Sequence, residues 1–365
     1  MKKLLFLVLL VFGFASAQIS RSYIDANDPI VNKAVDFYVS YIGQFNQDDA
    51  VDYAKYWSAE SCAAFRNPDL AVFAISDTYP TYRLGVQTTI YYAKRIREHV
   101  LIKSVLSYRA EDSTNTVYAI LDHYIKIPSG GETFKFTAPL VLNKSQYREK
   151  RFGNIDYHFP ATTSFDKRKA KQLQTQLATI LKAWGFMPVG ISYYFTQSAE
   201  EMSAMRGFEY KYGDEQQTPS GISYPEDRLI FSTGSGEDNL HEVLHVYFNP
   251  MYVTSPVNHA LIYYLAGGLG HDFQWFINRM DEYLQKYPET NLSQFDTIEP
   301  KDIMLHIDFT VLGIICKMVD EKEGVAGLKR LLGYETVDAL FLKEFNLERK
   351  DWDAFVREKI KLYRK

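Results

Sequence analysis

The chain has 365 residues, 46% of them hydrophobic and 24% charged, a balance that excludes a disordered polymer and suits two globular domains. Its net charge is −4, and the mixed basic stretches at 144–151 and 167–171 read as solvated faces, so nucleic acid is not expected as a partner. Cys62 and Cys316 lie far apart and read as two separate thiols, so any metal must be held by histidines and carboxylates.

Met1-Lys2-Lys3 is a charged start, Leu4 to Phe14 is an unbroken apolar run, and Ala15-Ser16-Ala17 supplies a small-x-small cleavage pattern. Residues 1–17 are therefore expected to be a signal peptide, too short to span a bilayer as a helix. The mature chain is expected to begin at Gln18 and to be exported, to the periplasm or outside the cell. No membrane span is expected after signal removal, and no cysteine at the cleavage point suggests a lipid anchor.

Residues 18–160 read as an N-terminal α+β domain. Asp28-Pro29 opens a helix in which Ile30, Ala34, Phe37, Tyr38, Tyr41 and Ile42 share a face. A second helix is expected over 50–64, with Trp57 inward. The period then changes: 100–108, 116–127 and 133–142 are β-rich, separated by turn signals at 111–113 and 129–131. Helices followed by such strands predict a curved antiparallel sheet wrapped on helices. His99 and His123 fall here as isolated residues, read as structural.

The stretch 159–164 reads as a domain boundary, and 165–365 as the second domain. A long helix is expected over 166–184, strands over 191–196 and 228–232, and a Gly- and Tyr-rich stretch at 207–221. The most constraining feature follows: His241-Glu242-Val243-Leu244-His245. Two imidazoles at i and i+4 project from one helix face at the separation needed to grip one zinc ion. Glu242 is placed to take a proton from a water acidified by that metal. Asp238 or Ser235 is expected to cap this helix and Asn249-Pro250 to end it, with Val243 and Leu244 packing on the core. A strand leading into such a helix can hold an extended peptide along its edge.

A catalytic zinc needs a third protein ligand. Ser255-Pro256 reads as a helix start that puts His259 in the first turn, before the stop at Ala266-Gly267-Gly268. His259 is the first choice, His271 the second, and Glu282 on the next amphipathic helix the third. The tail, 308–365, reads as helical, with stripes at Phe309, Leu312, Ile315, Val319 and at Leu328, Leu331, Leu332.

Residues 182–332 resemble the gluzincin-type, peptidase MA-like proteins secreted by Bacteroidetes-type bacteria. The resemblance rests on Ile191-Ser192-Tyr193-Tyr194, Leu229-Ile230-Phe231-Ser232, the zinc motif, Leu265-Ala266-Gly267-Gly268-Leu269-Gly270 and Gly313-Ile314-Ile315-Cys316-Lys317. It implies a zincin-like domain, a small sheet plus the motif helix, with a helical C-terminal subdomain over about 300–365. It also implies a zinc metallopeptidase acting on peptide or protein substrates. In that family a glutamate shortly before the Gly-Gly turn completes the metal shell; here that position is His259. Three neutral imidazoles leave a zinc–ligand unit at about +2 instead of about +1, which acidifies water more strongly. The family's oxyanion-stabilising tyrosine falls at Thr310, so its phenol is missing; His306 is the candidate replacement, and Tyr263 and Tyr264 read as core. These two departures keep open a second reading, a catalytically inactive peptidase-like binding protein of the periplasm or cell surface.

Overall fold

A computed structural model describes residues 17–46, 51–72, 80–84, 86–109, 114–212, 220–298 and 300–365. The expected leader, 1–17, lies outside the described residues except for Ala17, as does the turn signal at 111–113. The fold is mixed α+β, and the contacts divide the chain into two compact units. The first comprises Met1–Tyr147 and Ala199–Gln216, the second Arg148–Ser198 and Gln217–Lys365. The division thus falls at Tyr147, ahead of the boundary expected at 159–164.

In the first unit, strand β1 (Ala17–Ile24) pairs parallel with β2 (Gln87–Ile96), a departure from the all-antiparallel sheet expected. Helix α1 (Pro29–Gly43) lies between them in sequence, capped by Asp28, whose carboxylate accepts from Ile30 N at 2.8 Å. Its inward face is Val31, Ala34, Val35, Tyr38, Tyr41 and Ile42. The single helix expected over 50–64 is two short ones, α2 (Tyr53–Tyr56) and α3 (Ala59–Ala64). They break because Trp57 is extended and buried, while Ser58 N donates to Phe136 O at 2.8 Å and Ser58 Oγ caps α3. Strands β3 (His99–Arg109) and β4 (Asn115–Lys126) continue the sheet antiparallel from β2. Register shifts between Ile90 and Tyr92 and between Leu106 and Ser107 are bulges of the kind that bend strands. β5 (Lys135–Thr137) is short because Pro139 starts helix α4 (Pro139–Leu142) where a strand was expected. Inside this unit Tyr41 donates to the buried Asp69 at 2.8 Å, with His123 Nε2 3.6 Å from the same carboxylate. His99 and His123 are both buried.

The second unit is built on a five-stranded sheet. Strands β6 (Tyr147–Phe152) and β7 (Ile155–Pro160) begin it; helix α5 (Lys167–Trp184) and β8 (Ile191–Thr196) follow. Ala170, Leu173, Leu177, Leu181 and Trp184 form the buried stripe of α5 at helical spacing. β8 is buried at nearly every position, because it lies inside the sheet with parallel partners on both sides. The chain then contributes α6 (Ala199–Met205) and β9 (Phe208–Lys211) to the first unit, where β9 pairs with β4. It returns as β10 (Ser220–Tyr224) and β11 (Leu229–Thr233). The sheet order is β10-β11-β8-β7-β6, with β10 antiparallel to β11.

Helix α7 (Leu240–Tyr252) carries the motif. Its cap is Asn239, whose side-chain oxygen accepts from Glu242 N, not Asp238 or Ser235 as expected. Asn239 also reaches Ser232 on β11 at 3.1 Å, which ties the cap to the sheet. The helix runs through Pro250 instead of ending there, and Val253 N still bonds Asn249 O at 3.0 Å. Helix α8 (Asn258–Ala266) starts later than Ser255-Pro256 because those residues form a turn closed by Asn258 N to Ser255 O at 3.2 Å. Helices α9 (Phe273–Lys286), α10 (Ile307–Leu331, kinked at Gly324), α11 (Val337–Phe345) and α12 (Trp352–Tyr363) complete the unit. Among the described residues no helix is long and apolar enough to cross a membrane.

Candidate metal centre

Four side chains fix α7 in place: Val243, Leu244, Val246 and Phe248 are all buried in the core of the second unit, and Phe248 meets Trp184 of α5 edge-on at 4.8 Å. Each such side chain contributes about 1.5–3 kcal/mol by leaving water, so the helix is a rigid platform. His241 and His245 lie one turn apart along one face of the helix, and His259 enters from the first turn of α8. One nitrogen from each of the three lies within 4.8 Å of the others, a group that could hold a metal ion. The alternatives do not join it. His271 stacks on Trp275 at 3.9 Å and closes the turn with Gly268, while Glu282 is exposed on α9.

The proton positions favour a cation. His241 Nδ1 lies 2.6 Å from the Gly267 carbonyl, which only accepts, so Nδ1 carries the proton and Nε2 presents a lone pair. His245 Nδ1 lies 3.1 Å from Asn249 Oδ1, which does the same for its ring. The two Nε2 atoms then face each other at 3.2 Å with lone pairs opposed. Two nitrogens bound tetrahedrally to one zinc at about 2.05 Å stand about 3.3 Å apart, so the spacing fits a shared ion. His259 lies flat against Phe309, ring centroids 4.2 Å apart, which sets its plane.

Burial keeps all three rings neutral. It lowers His241 to about 3 and His259 to about 2, with the neighbouring histidines adding to the effect, and it lowers His245 against the opposing pull of Asn249. Neutral imidazole is the form that ligates.

Glu242 is 8% exposed, and burial raises its carboxyl to about 7, opposed by a hydrogen bond from Ser223 of β10. The strand and the carboxylate are in close contact. A Cβ on Gly221 would stand 2.5 Å from Glu242 Cγ and 2.9 Å from its Oε1, so only glycine lets β10 pass there. Among the described residues β10 is an edge of its sheet.

His306 is the residue that caps α10, outside the group of three. Its ring packs beside Tyr263 and Phe309, its charge would be felt at both His241 and His259, and burial lowers its pKa. Thr310 is fully buried, its hydroxyl donating to His306 O at 2.7 Å. Tyr263, read from sequence as core, stands edge-on to His241 with centroids 4.9 Å apart and senses the Glu242 charge.

Sequence reasoning missed Ser223, Gly221, the Gly267 carbonyl and Asn249. Only Asn249 left a signal, lying one helical turn beyond His245 on the same face. No protein-family model matches the chain, and no curated protein matches it either.

Proposed function

We propose that this chain is an exported zinc-dependent peptidase of gluzincin type. The observation that carries the reading is the convergence of His241, His245 and His259, with Glu242 one residue along from the first ligand and packed behind the edge strand β10. The three histidines would hold zinc, which when bound supplies a Lewis acid that acidifies water and polarises a carbonyl. Glu242 would take the proton of the attacking water and deliver it to the departing amine, so that one water is consumed and one amide bond is broken. Burial, which raises this carboxyl in the metal-free protein, favours its taking up a proton. β10 would pair with an extended substrate along its outer edge. His306, neutral and beside the histidine group, would donate to the developing oxyanion where the resembling enzymes use tyrosine.

The reading is tested with quenched-fluorescent peptides of mixed sequence. Zinc-loaded wild type is expected to cleave some of them, and Glu242→Gln is expected to keep its zinc yet lose about a hundredfold or more in rate. Retained turnover in Glu242→Gln would remove that residue from the mechanism. The buried Thr310, which leaves the tyrosine position without a phenol, favours the second reading of a non-catalytic peptide-binding protein. Binding of the peptides without cleavage by zinc-loaded wild type would establish it.

A further inference from the structure

The histidines of α7 are tied to both ends of α8, the helix that carries His259. At one end His241 reaches the carbonyl of Gly267, the residue that terminates α8. At the other end His245 reaches Asn249, and Asn249 Oδ1 also receives Asn258 Nδ2 at 2.8 Å. Asn258 is the first residue of α8 and the immediate neighbour of His259.

Asn258 turns its amide nitrogen, which only donates, toward Asn249, and the Asn249 carbonyl oxygen accepts from it at 2.8 Å while facing His245 Nδ1 at 3.1 Å. That oxygen cannot donate to His245, so His245 Nδ1 carries the proton and its Nε2 is left with a lone pair. Asn258 does not cap its own helix; Val257 occupies that position, with no side-chain cap at all. Its side chain turns back to α7 instead, at 5% exposure, and its own buried Oδ1 has no hydrogen-bond partner among the described residues.

We propose that Asn249 and Asn258 form an amide relay that positions the metal ligands. The relay holds the His245 proton on Nδ1 and locks the start of α8, and with it His259, in register with α7. It rests on the reading of the three histidines as a metal site. Both asparagines are positioning residues: they reach the ion only through His245 and His259.

The experiment measures zinc affinity by competition with a chromophoric chelator, and the His245 tautomer by 15N NMR of the metal-free protein. Asn249→Leu is expected to weaken zinc binding by about tenfold to a hundredfold. Asn258→Ala should weaken it in the same direction, and the double variant no further than Asn249→Leu alone, because the two act in series. Asn249→Asp, which accepts from both partners and keeps the shape, is expected to match wild type or bind more tightly. In the metal-free protein the proton should sit on Nδ1 in wild type and Asn249→Asp, and move toward Nε2 in Asn249→Leu. Folded Asn249→Leu and Asn258→Ala variants with zinc affinity within about twofold of wild type would overturn the relay. So would an unchanged tautomer in Asn249→Leu. Wild type that takes up no zinc while its His245 proton sits on Nδ1 would sink the metal reading and leave the hold on the tautomer standing.

Discussion

Gly267→Ala is expected to cost both stability and metal affinity, through one atom. Gly267 sits at φ +71° and ψ −157°, a region essentially reserved for glycine, where strain in other residues costs about 1–3 kcal/mol. A Cβ there would also stand 2.0 Å from the His271 carbonyl oxygen and 3.0 Å from Asp272 Cα, both backbone atoms that cannot rotate away. Relieving such an overlap typically costs a further 1–3 kcal/mol, for a total of about 2–6 kcal/mol. That is a large fraction of the 5–15 kcal/mol typical of a folded domain. The relief must come from shifting the turn, which swings the Gly267 carbonyl away from His241. Loss of such an orienting partner lowers metal affinity about tenfold to a hundredfold, or roughly 1.4–2.8 kcal/mol. Denaturant unfolding of the metal-free protein reads the first cost, and chelator competition on folded protein reads the second. Gly190→Ala is the control, since a Cβ there meets nothing within 4 Å. A folded Gly267→Ala protein with wild-type zinc affinity would refute the claim that this carbonyl orients His241.

Gly221→Ala separates the base from the metal. The new methyl group meets Glu242 and the Asn239 cap first, so hydrolysis should fall while zinc affinity stays within about twofold; equal loss of both would place β10 in a purely structural role. The pH dependence of the metal-free protein has two opposing contributions. His241 and His259 titrate near 6.5 when unfolded but at about 3 and about 2 when folded. The stability they confer is complete above pH 6.5 and is lost as pH falls toward those values. Glu242, raised from 4.5 to about 7, opposes this, gaining stability as pH falls from 7 to 4.5, so below 4.5 it no longer offsets the histidine effect, to which the ion-paired carboxylates of lowered pKa add. Unfolding midpoints measured from pH 7 to 3 should therefore drop most steeply at the acid end. His259→Phe should flatten that drop, and an unchanged slope in the variant would contradict the burial-driven shift.

Much of the framework could be read from periodicity. Helices α1 and α5 announce themselves because a single face is apolar and a cap or glycine marks the ends, and strand β8 through the alternating, aromatic-rich character of Ile191–Thr196. The histidine pair and the choice of His259 over His271 followed from helix geometry and a plausible chain reversal. Other elements left no such mark. β2 mixes polar and apolar residues, and the register shift between Ile90 and Tyr92 interrupts its alternation. β10 is Ser-Gly-Ile-Ser-Tyr, a strand only because β11 pairs with it. The break at Trp57 depends on Phe136, far along the chain, and the continuation of α7 through Pro250 shows that a proline near a helix end need not stop it. The supporting contacts of the site, Gly267, Asn258 and Ser223, are long-range pairings that no local pattern encodes.

The most direct measurement is metal content followed by X-ray absorption at the zinc edge on purified protein. The expected result is one zinc per chain, with three imidazole nitrogens at about 2.0–2.1 Å and no sulfur, and loss of one of those three nitrogens in His259→Ala. Wild type that binds no stoichiometric metal, or an ion whose shell is unchanged by His259→Ala, would contradict the assignment of His241, His245 and His259 as its ligands.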